Sequence, residues 1–115
     1  MKIINKPWGI ARLIHKGPHT EVWHCSIRAG GVSTDGKYHK HELKTNDFYI
    51  LDGTLKLCVA ENSYLLASGD CHQVRPGFRH RFEAVTDVEL IETYHLPLID
   101  EEDIVRDECR EAVQC

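Results

Sequence analysis

The chain has 115 residues, of which 42% are hydrophobic and 28% are charged, and its net charge at pH 7 is −4. These values are typical of a soluble globular protein, so we predict a single domain over residues 1–115. No apolar run is long enough to cross a membrane, and no basic stripe suits a nucleic acid. The N-terminus is too interrupted by polar residues for a secretory signal, which predicts a cytoplasmic protein.

Short strand-like runs, separated by turn signals, follow one another through most of the chain. In chain order they are residues 21–27, 48–51, 54–60, 63–68, 71–75, 80–85 and 88–96. Asp52-Gly53 separates two of these runs and predicts a type I′ hairpin turn, which needs a positive φ at both central positions. Since no helical period occurs before residue 100, the pattern predicts an all-β fold, either a small antiparallel barrel or a two-sheet sandwich.

Residues 100–115 have a different pattern. Asp100 suits a helix N-cap, further acids follow it in the first turn, and apolar residues lie at positions 104, 105, 109, 112 and 113. We therefore expect a short C-terminal helix or turn that packs on the β-structure.

Three of the eight histidines have the spacing of metal ligands. His39 and His41 are two residues apart, so on a strand both imidazoles would point to one face. Such a pair can hold a divalent metal ion if a third ligand arrives from another strand. His80 is a candidate for that ligand. The turn at Pro76-Gly77, three residues before it, changes the direction of the chain and can aim its imidazole across the barrel.

These residues occur in two longer patterns that resemble the two cupin motifs. The first is His39-x-His41, four residues, Asn46, six residues, Gly53; the second is Gly69, six residues, Pro76-Gly77, two residues, His80. The flanking segments, KPWG at 6–9 near the start and Ile91-Glu92 followed by EDIVR at 102–106 near the end, resemble the cupin domain of type II mannose-6-phosphate isomerases. The resemblance extends over most of the chain.

The resemblance implies a cupin-type antiparallel β-barrel, a double-stranded β-helix or jelly roll, that forms a homodimer and holds one divalent metal ion (Zn, Fe, Mn or Ni). By position, His39, His41 and His80 would be ligands, and the family's glutamate falls at Asn46. An asparagine offers only a neutral carbonyl oxygen. Asp47 is one residue away and would face the opposite side of a strand unless a bulge intervened.

Three classes of function are compatible with a metal site in a barrel mouth. The flanking motifs favour an enzyme that isomerises a sugar or sugar phosphate between aldose and ketose forms, and related small cupins also act on unsaturated uronates. Three histidines can alternatively hold Fe(II) for dioxygenase chemistry. The missing glutamate favours a third class, a non-catalytic cupin that binds a small molecule.

Four further residues are candidates for a catalytic or substrate-binding role. His72 shares a strand face with Val74 and would be a fourth ligand, a proton shuttle or an interior histidine. We predict it as the catalytic acid–base, because imidazole exchanges protons near neutral pH. Arg75, Arg79 and Arg81 cluster around the second motif and are candidates for binding a substrate phosphate or carboxylate; the alternative is that they point to solvent.

Overall fold

The computed structural model of the protein describes residues 2–33, 38–41 and 43–96. Within these ranges the chain forms nine strands: β1 (Ile3–Lys6), β2 (Gly9–Lys16), β3 (Thr20–Ile27), β4 (Thr45–Asp52), β5 (Thr54–Val59), β6 (Asn62–Ala67), β7 (Cys71–Val74), β8 (His80–Ala84) and β9 (Val88–His95). The larger sheet has the order β1-β2-β3-β9-β4-β7, and the smaller sheet has the order β6-β5-β8. Every pair is antiparallel.

The predicted all-β cupin-type barrel is confirmed, and each of the seven predicted runs forms a strand. The β1–β2 hairpin was not predicted, because its apolar residues come in adjacent pairs and do not alternate with polar ones. In the structure β1 is largely exposed. The predicted C-terminal helix or turn lies outside the described residues. Among the described residues, no helix has the length and apolar character needed to span a membrane.

The turn between β4 and β5 differs from the predicted type. Gly53 has a φ of +90°, whereas Asp52 is not among the described residues with positive φ, so the turn is not type I′. The glycine is required by a close approach, because a Cβ atom built on Gly53 would lie 2.0 Å from the carbonyl oxygen of Asp87. The hairpin itself is confirmed.

The hydrophobic core fills the space between the two sheets. Alternate residues of each strand point inward, so Phe48 and Ile50 of β4 pack against Leu55 and Leu57 of β5, and all four are at most 2% exposed. Trp8, in the β1–β2 turn, reaches this core and meets the ring of Phe82 edge-on at 5.5 Å between centroids. Trp8 and Phe82 therefore belong to the same buried cluster.

The segment that follows β3 brings the first histidine motif to β8. Val32 forms an isolated bridge with Glu83, and His39 forms a second one with His80. The backbone N–H groups of His39 and His80 donate to each other's carbonyl oxygens at 3.0 and 2.7 Å. His39 and His41 thus lie beside β8 without belonging to a regular strand, in contrast to the expectation that they share one.

Candidate functional site

Three histidines converge on one point at the end of the barrel interior. His80 begins β8, while His39 and His41 come from the adjoining segment. Their ring centroids are 4.2 Å apart for His39 and His80, 5.3 Å for His39 and His41, and 5.6 Å for His41 and His80. One ligand nitrogen from each ring lies within 4.8 Å of the other two, so the three can hold a single metal ion.

The turn at Pro76-Gly77 orients both halves of this cluster. The N–H of Gly77 donates to the carbonyl oxygen of His41 at 2.8 Å, which ties the first motif to the second. Nδ1 of His80 lies 3.3 Å from the carbonyl oxygen of Phe78. If Nδ1 carries the proton and donates to this carbonyl, Nε2 keeps its lone pair for a metal, which is the usual arrangement of a metal-ligating histidine.

The cluster contains nitrogen atoms that are buried without a partner. Nδ1 of His39, Nε2 of His41 and Nε2 of His80 have no hydrogen-bond partner among the described residues. Burying a polar group without a partner is costly, and one such atom in each of three neighbouring rings is the pattern expected around a cation. The residues present therefore fit a metal ion.

Burial also keeps these imidazoles neutral. The pKa of His80 is lowered to about 4, chiefly by burial and also by the neighbouring His39. Burial lowers the pKa of His39 and of His41, with smaller contributions from His41 and Lys44, respectively. A neutral imidazole is the form that binds a metal, so the site is ready for one at neutral pH.

Asn46 and Asp47 lie on opposite faces of β4. Asn46 is fully buried, and it pairs with Val74 and Tyr94 on the interior face. Its Nδ2 donates to the carbonyl oxygen of Thr93 at 3.2 Å, which leaves Oδ1 without a partner among the described residues. Asp47 faces away, and its Oδ2 lies 3.0 Å from Nε2 of His95. Asn46 is thus the residue of this pair on the interior face of β4.

Glu92 is a site residue that the sequence reasoning did not select. It lies on the interior face of β9, where it receives a hydrogen bond from the hydroxyl of Tyr94 at 2.9 Å. The thiol of Cys25 lies 3.9 Å from its other oxygen. Burial raises the pKa of Glu92, although hydrogen bonds from Tyr94 and Asn46 oppose the rise. A charged residue at a core-facing position, two residues after the buried Leu90, was the available signal.

A cavity of about 490 Å³ joins this carboxyl group to two of the three histidines, and His80 is not among its lining residues. Its volume is within the range typical of small-molecule sites. The aromatic residues of its wall are Trp8, Trp23, Phe48, Phe82 and Tyr94, and its charged residues are Lys6, Glu21, Lys44 and Glu92. His39 and His41 line the same cavity. A ligand that fills it would therefore meet the metal position, a carboxyl group and several aromatic rings.

Comparisons with known proteins agree with this geometry. Residues 23–94 match the family described as "Cupin domain". The chain is a cupin. No curated protein matches its sequence.

The cupin is similar in fold to several solved structures. KdgF from Halomonas sp. is 17% identical, with a TM-score of 0.75 over 90% of this chain and 93% of that one. An RmlC-like cupin from Shewanella frigidimarina is 20% identical, with a TM-score of 0.73 over 86% of both chains. TT1209 from Thermus thermophilus is 19% identical, with a TM-score of 0.70 over 81% of this chain and 89% of that one. At such low identity these similarities establish the fold alone.

The remaining predicted site residues lie elsewhere in the cupin. His72 stacks on Tyr64, with 4.3 Å between ring centroids, and burial lowers its pKa. Arg79 and Arg81 place their guanidinium groups 4.9 and 5.3 Å from the ring centroid of Tyr38. The lining of the cavity includes none of His72, Arg75, Arg79 and Arg81.

Proposed function

We propose that this cupin binds one divalent metal ion through His39, His41 and His80 and uses it to isomerise a sugar or sugar phosphate. The observation that carries the proposal is the convergence of three imidazoles, each with a buried nitrogen that lacks a partner among the described residues. Two of them, His39 and His41, line a cavity that also contains the carboxyl group of Glu92. A metal position and an acid–base group in one cavity are what an aldose–ketose isomerisation requires. The KPWG and EDIVR segments, which resemble those of type II mannose-6-phosphate isomerases, support the same reaction class.

The donor set suits a first-row transition metal. Three imidazoles favour zinc, iron or nickel, and the Oδ1 atom of Asn46 adds one neutral oxygen donor on the same side of β4. A bound divalent ion would polarise the carbonyl group of the sugar and stabilise the negative charge that develops on its oxygen atoms. Because the donors are neutral, none of them would reduce the charge of the ion.

Glu92 is the best-placed acid–base group in the cavity. Burial raises its pKa, so this carboxyl group holds a proton more readily than an exposed glutamate does. The hydroxyl of Tyr94 holds one of its oxygen atoms and so fixes the orientation of the carboxyl group. We assign the proton transfer at the carbon next to the carbonyl to Glu92 in preference to His72, whose ring packs on Tyr64 away from the cavity lining.

The aromatic wall supports a sugar as the ligand. Trp8 and Trp23 are partly or largely buried and line the cavity together with Tyr94, so the cavity presents aromatic surface beside polar groups. Such a surface suits the apolar faces of a sugar ring, while polar groups bind its hydroxyls. The homodimer and the cytoplasmic location remain predictions from the sequence.

Metal analysis tests the first half of the proposal. Protein purified without a histidine tag should contain close to one equivalent of a divalent metal, and His41→Ala should lose it. His19→Ala, a change at an exposed histidine, is the matched control and should keep it. Equal metal content in the wild type and His41→Ala would overturn the metal assignment.

Solvent-deuterium exchange tests the second half. Incubation with a panel of sugars and sugar phosphates in D₂O should place deuterium at the carbon next to the carbonyl of one substrate. Glu92→Gln should reduce the exchange rate about 100-fold or more while the metal remains bound. Oxygen consumption without exchange would instead indicate a dioxygenase, and binding without either would indicate a non-catalytic cupin.

A further inference from the structure

The side chain of Asn46 faces two hydrogen-bond acceptors, one of which is the carboxyl group of Glu92. We propose that Asn46 is a positioning residue for Glu92: its amide group fixes the orientation in which this carboxyl group meets a ligand in the cavity. The inference rests on the proposed function, because proton transfer is the role that makes the orientation of Glu92 matter.

The fold places the two side chains next to each other on the interior face of the larger sheet. Asn46 of β4 is paired with Tyr94 of β9, and Glu92 comes two residues before Tyr94 on the same face of β9. Asn46 and Glu92 are therefore diagonal neighbours on adjacent strands, a separation that long side chains can span. Asn46 is 0% exposed, so water does not compete for its amide group. The register of the sheet thus fixes this pair.

The two acceptors determine which end of the Asn46 amide points towards them. Nδ2 donates to the carbonyl oxygen of Thr93 at 3.2 Å, and the side chain of Asn46 also donates to Glu92. An amide nitrogen carries two hydrogen atoms, so it can serve both acceptors. A carboxylate at position 46 would instead place an oxygen atom against both of them, which is costly at a buried position. These neighbours therefore favour an amide over a carboxylate at this position.

The other groups around Glu92 do not fix its carboxyl group by themselves. The hydroxyl of Tyr94 donates to Oε2 at 2.9 Å, and a single donor leaves the group free to rotate about that contact. The thiol of Cys25 lies 3.9 Å from Oε1 and is a weak donor. Lys6 adds a favourable charge, but a charge does not define an orientation. A second strong donor is needed to fix the plane of the carboxyl group, and Asn46 provides it.

Asn46→Asp tests this role, because it preserves the shape of the side chain and Oδ1 and replaces only the donor Nδ2 by an oxygen. In the deuterium-exchange assay, metal-loaded Asn46→Asp should keep its metal and lose about tenfold or more in kcat, while KM changes by less than about twofold. A side chain with a structural role alone would lower the stability of the protein without lowering the kcat of its folded, metal-loaded fraction.

A double-mutant cycle measures the contact without any ligand. Urea unfolding of EDTA-treated protein near neutral pH compares the wild type, Asn46→Asp, Glu92→Gln and the double variant. Asn46→Asp should lower the urea midpoint by about 1 M more in the wild-type background than in the Glu92→Gln background. The reason is that the new amide at position 92 can donate to the new carboxylate at position 46.

Asn46→Ala takes the place of Asn46→Asp in the cycle if the aspartate variant does not fold. Its loss of urea midpoint should again be larger in the wild-type background than in the Glu92→Gln background. A hydrogen bond to a carboxylate is stronger than one to an amide, so more is lost when Glu92 is present.

Asp47→Asn provides the matched control. Asp47 is the next residue of β4, is 1% exposed and faces His95 on the opposite side of the sheet. The change is the reverse exchange of carboxylate and amide at a position that is also buried. Its effect on the urea midpoint should be the same with and without Glu92→Gln, and its kcat should equal that of the wild type.

Two results would overturn the proposal: an equal loss of urea midpoint in the two backgrounds, or a wild-type kcat in folded, metal-loaded Asn46→Asp. Its failure can be separated from failure of the proposed function. Coupling between Asn46 and Glu92 in a protein that shows no exchange upholds the positioning of Glu92 and contradicts only the proposed reaction. Exchange that requires Glu92 but not Asn46 upholds the proposed function and overturns this inference.

Discussion

Acidification should destabilise the metal-free cupin largely through His80. This side chain is 1% exposed, and its pKa is lowered from 6.5 to about 4 by burial and by His39. The unfolded chain takes up a proton near pH 6.5, whereas the folded chain takes it up only near pH 4. Between these values the unfolded state binds more protons, so the free energy of unfolding falls as the pH is lowered. The difference in pKa corresponds to about 3 kcal/mol, present above pH 6.5 and lost by about pH 4.

Urea unfolding of EDTA-treated protein, followed by tryptophan fluorescence between about pH 7.5 and about pH 4, measures this loss. His80→Gln removes the titrating group, so its free energy of unfolding should depend on pH less steeply than that of the wild type. Between these two pH values the wild type should lose about 3 kcal/mol more of its free energy of unfolding than His80→Gln does. This comparison does not depend on the stability of the variant at neutral pH. His19→Gln, at an exposed position, should follow the wild type. If wild type and His80→Gln lost stability in parallel, His80 would not be held neutral by the fold.

Three further predictions concern packing, backbone conformation and the first motif. Leu57 is 0% exposed, so Leu57→Ala should lower the free energy of unfolding, measured in urea, by about 2–5 kcal/mol. Leu65 is 70% exposed, so Leu65→Ala should change the same quantity by less than about 0.5 kcal/mol. Gly53 and Gly69 both have a φ near +90°, but only at Gly53 would a new Cβ atom meet backbone atoms. Gly53→Ala should therefore destabilise the protein more than Gly69→Ala in the same assay. Asp47→Asn should leave the metal content unchanged, since Asp47 faces His95 on the outer side of β4; loss of the metal would mean that Asp47 is a ligand.

The strands and the histidine cluster are the features that the sequence determined. Side chains along a strand alternate between the inner and outer face, and this alternation can be read from the sequence without knowing the neighbouring strands. Together with the turn residues between the runs, it made seven of the strands predictable. The spacing of His39, His41 and His80 likewise indicated a shared site, because it follows the two motifs that cupins have in common. The same alternation predicted that Asn46 and Asp47, which are adjacent on β4, point to opposite faces of the sheet.

Only the tertiary structure decided what surrounds the cluster. Glu92, Lys6 and Lys44 meet in one cavity although they belong to β9, to β1 and to the segment before β4, and no local pattern relates these positions. His72 has the alternation of an interior residue, yet packing against Tyr64 places it outside the cavity lining. A local period shows that a side chain points inward. The part of the interior that it reaches depends on how two sheets curve and pack, which is set by contacts between residues far apart in sequence.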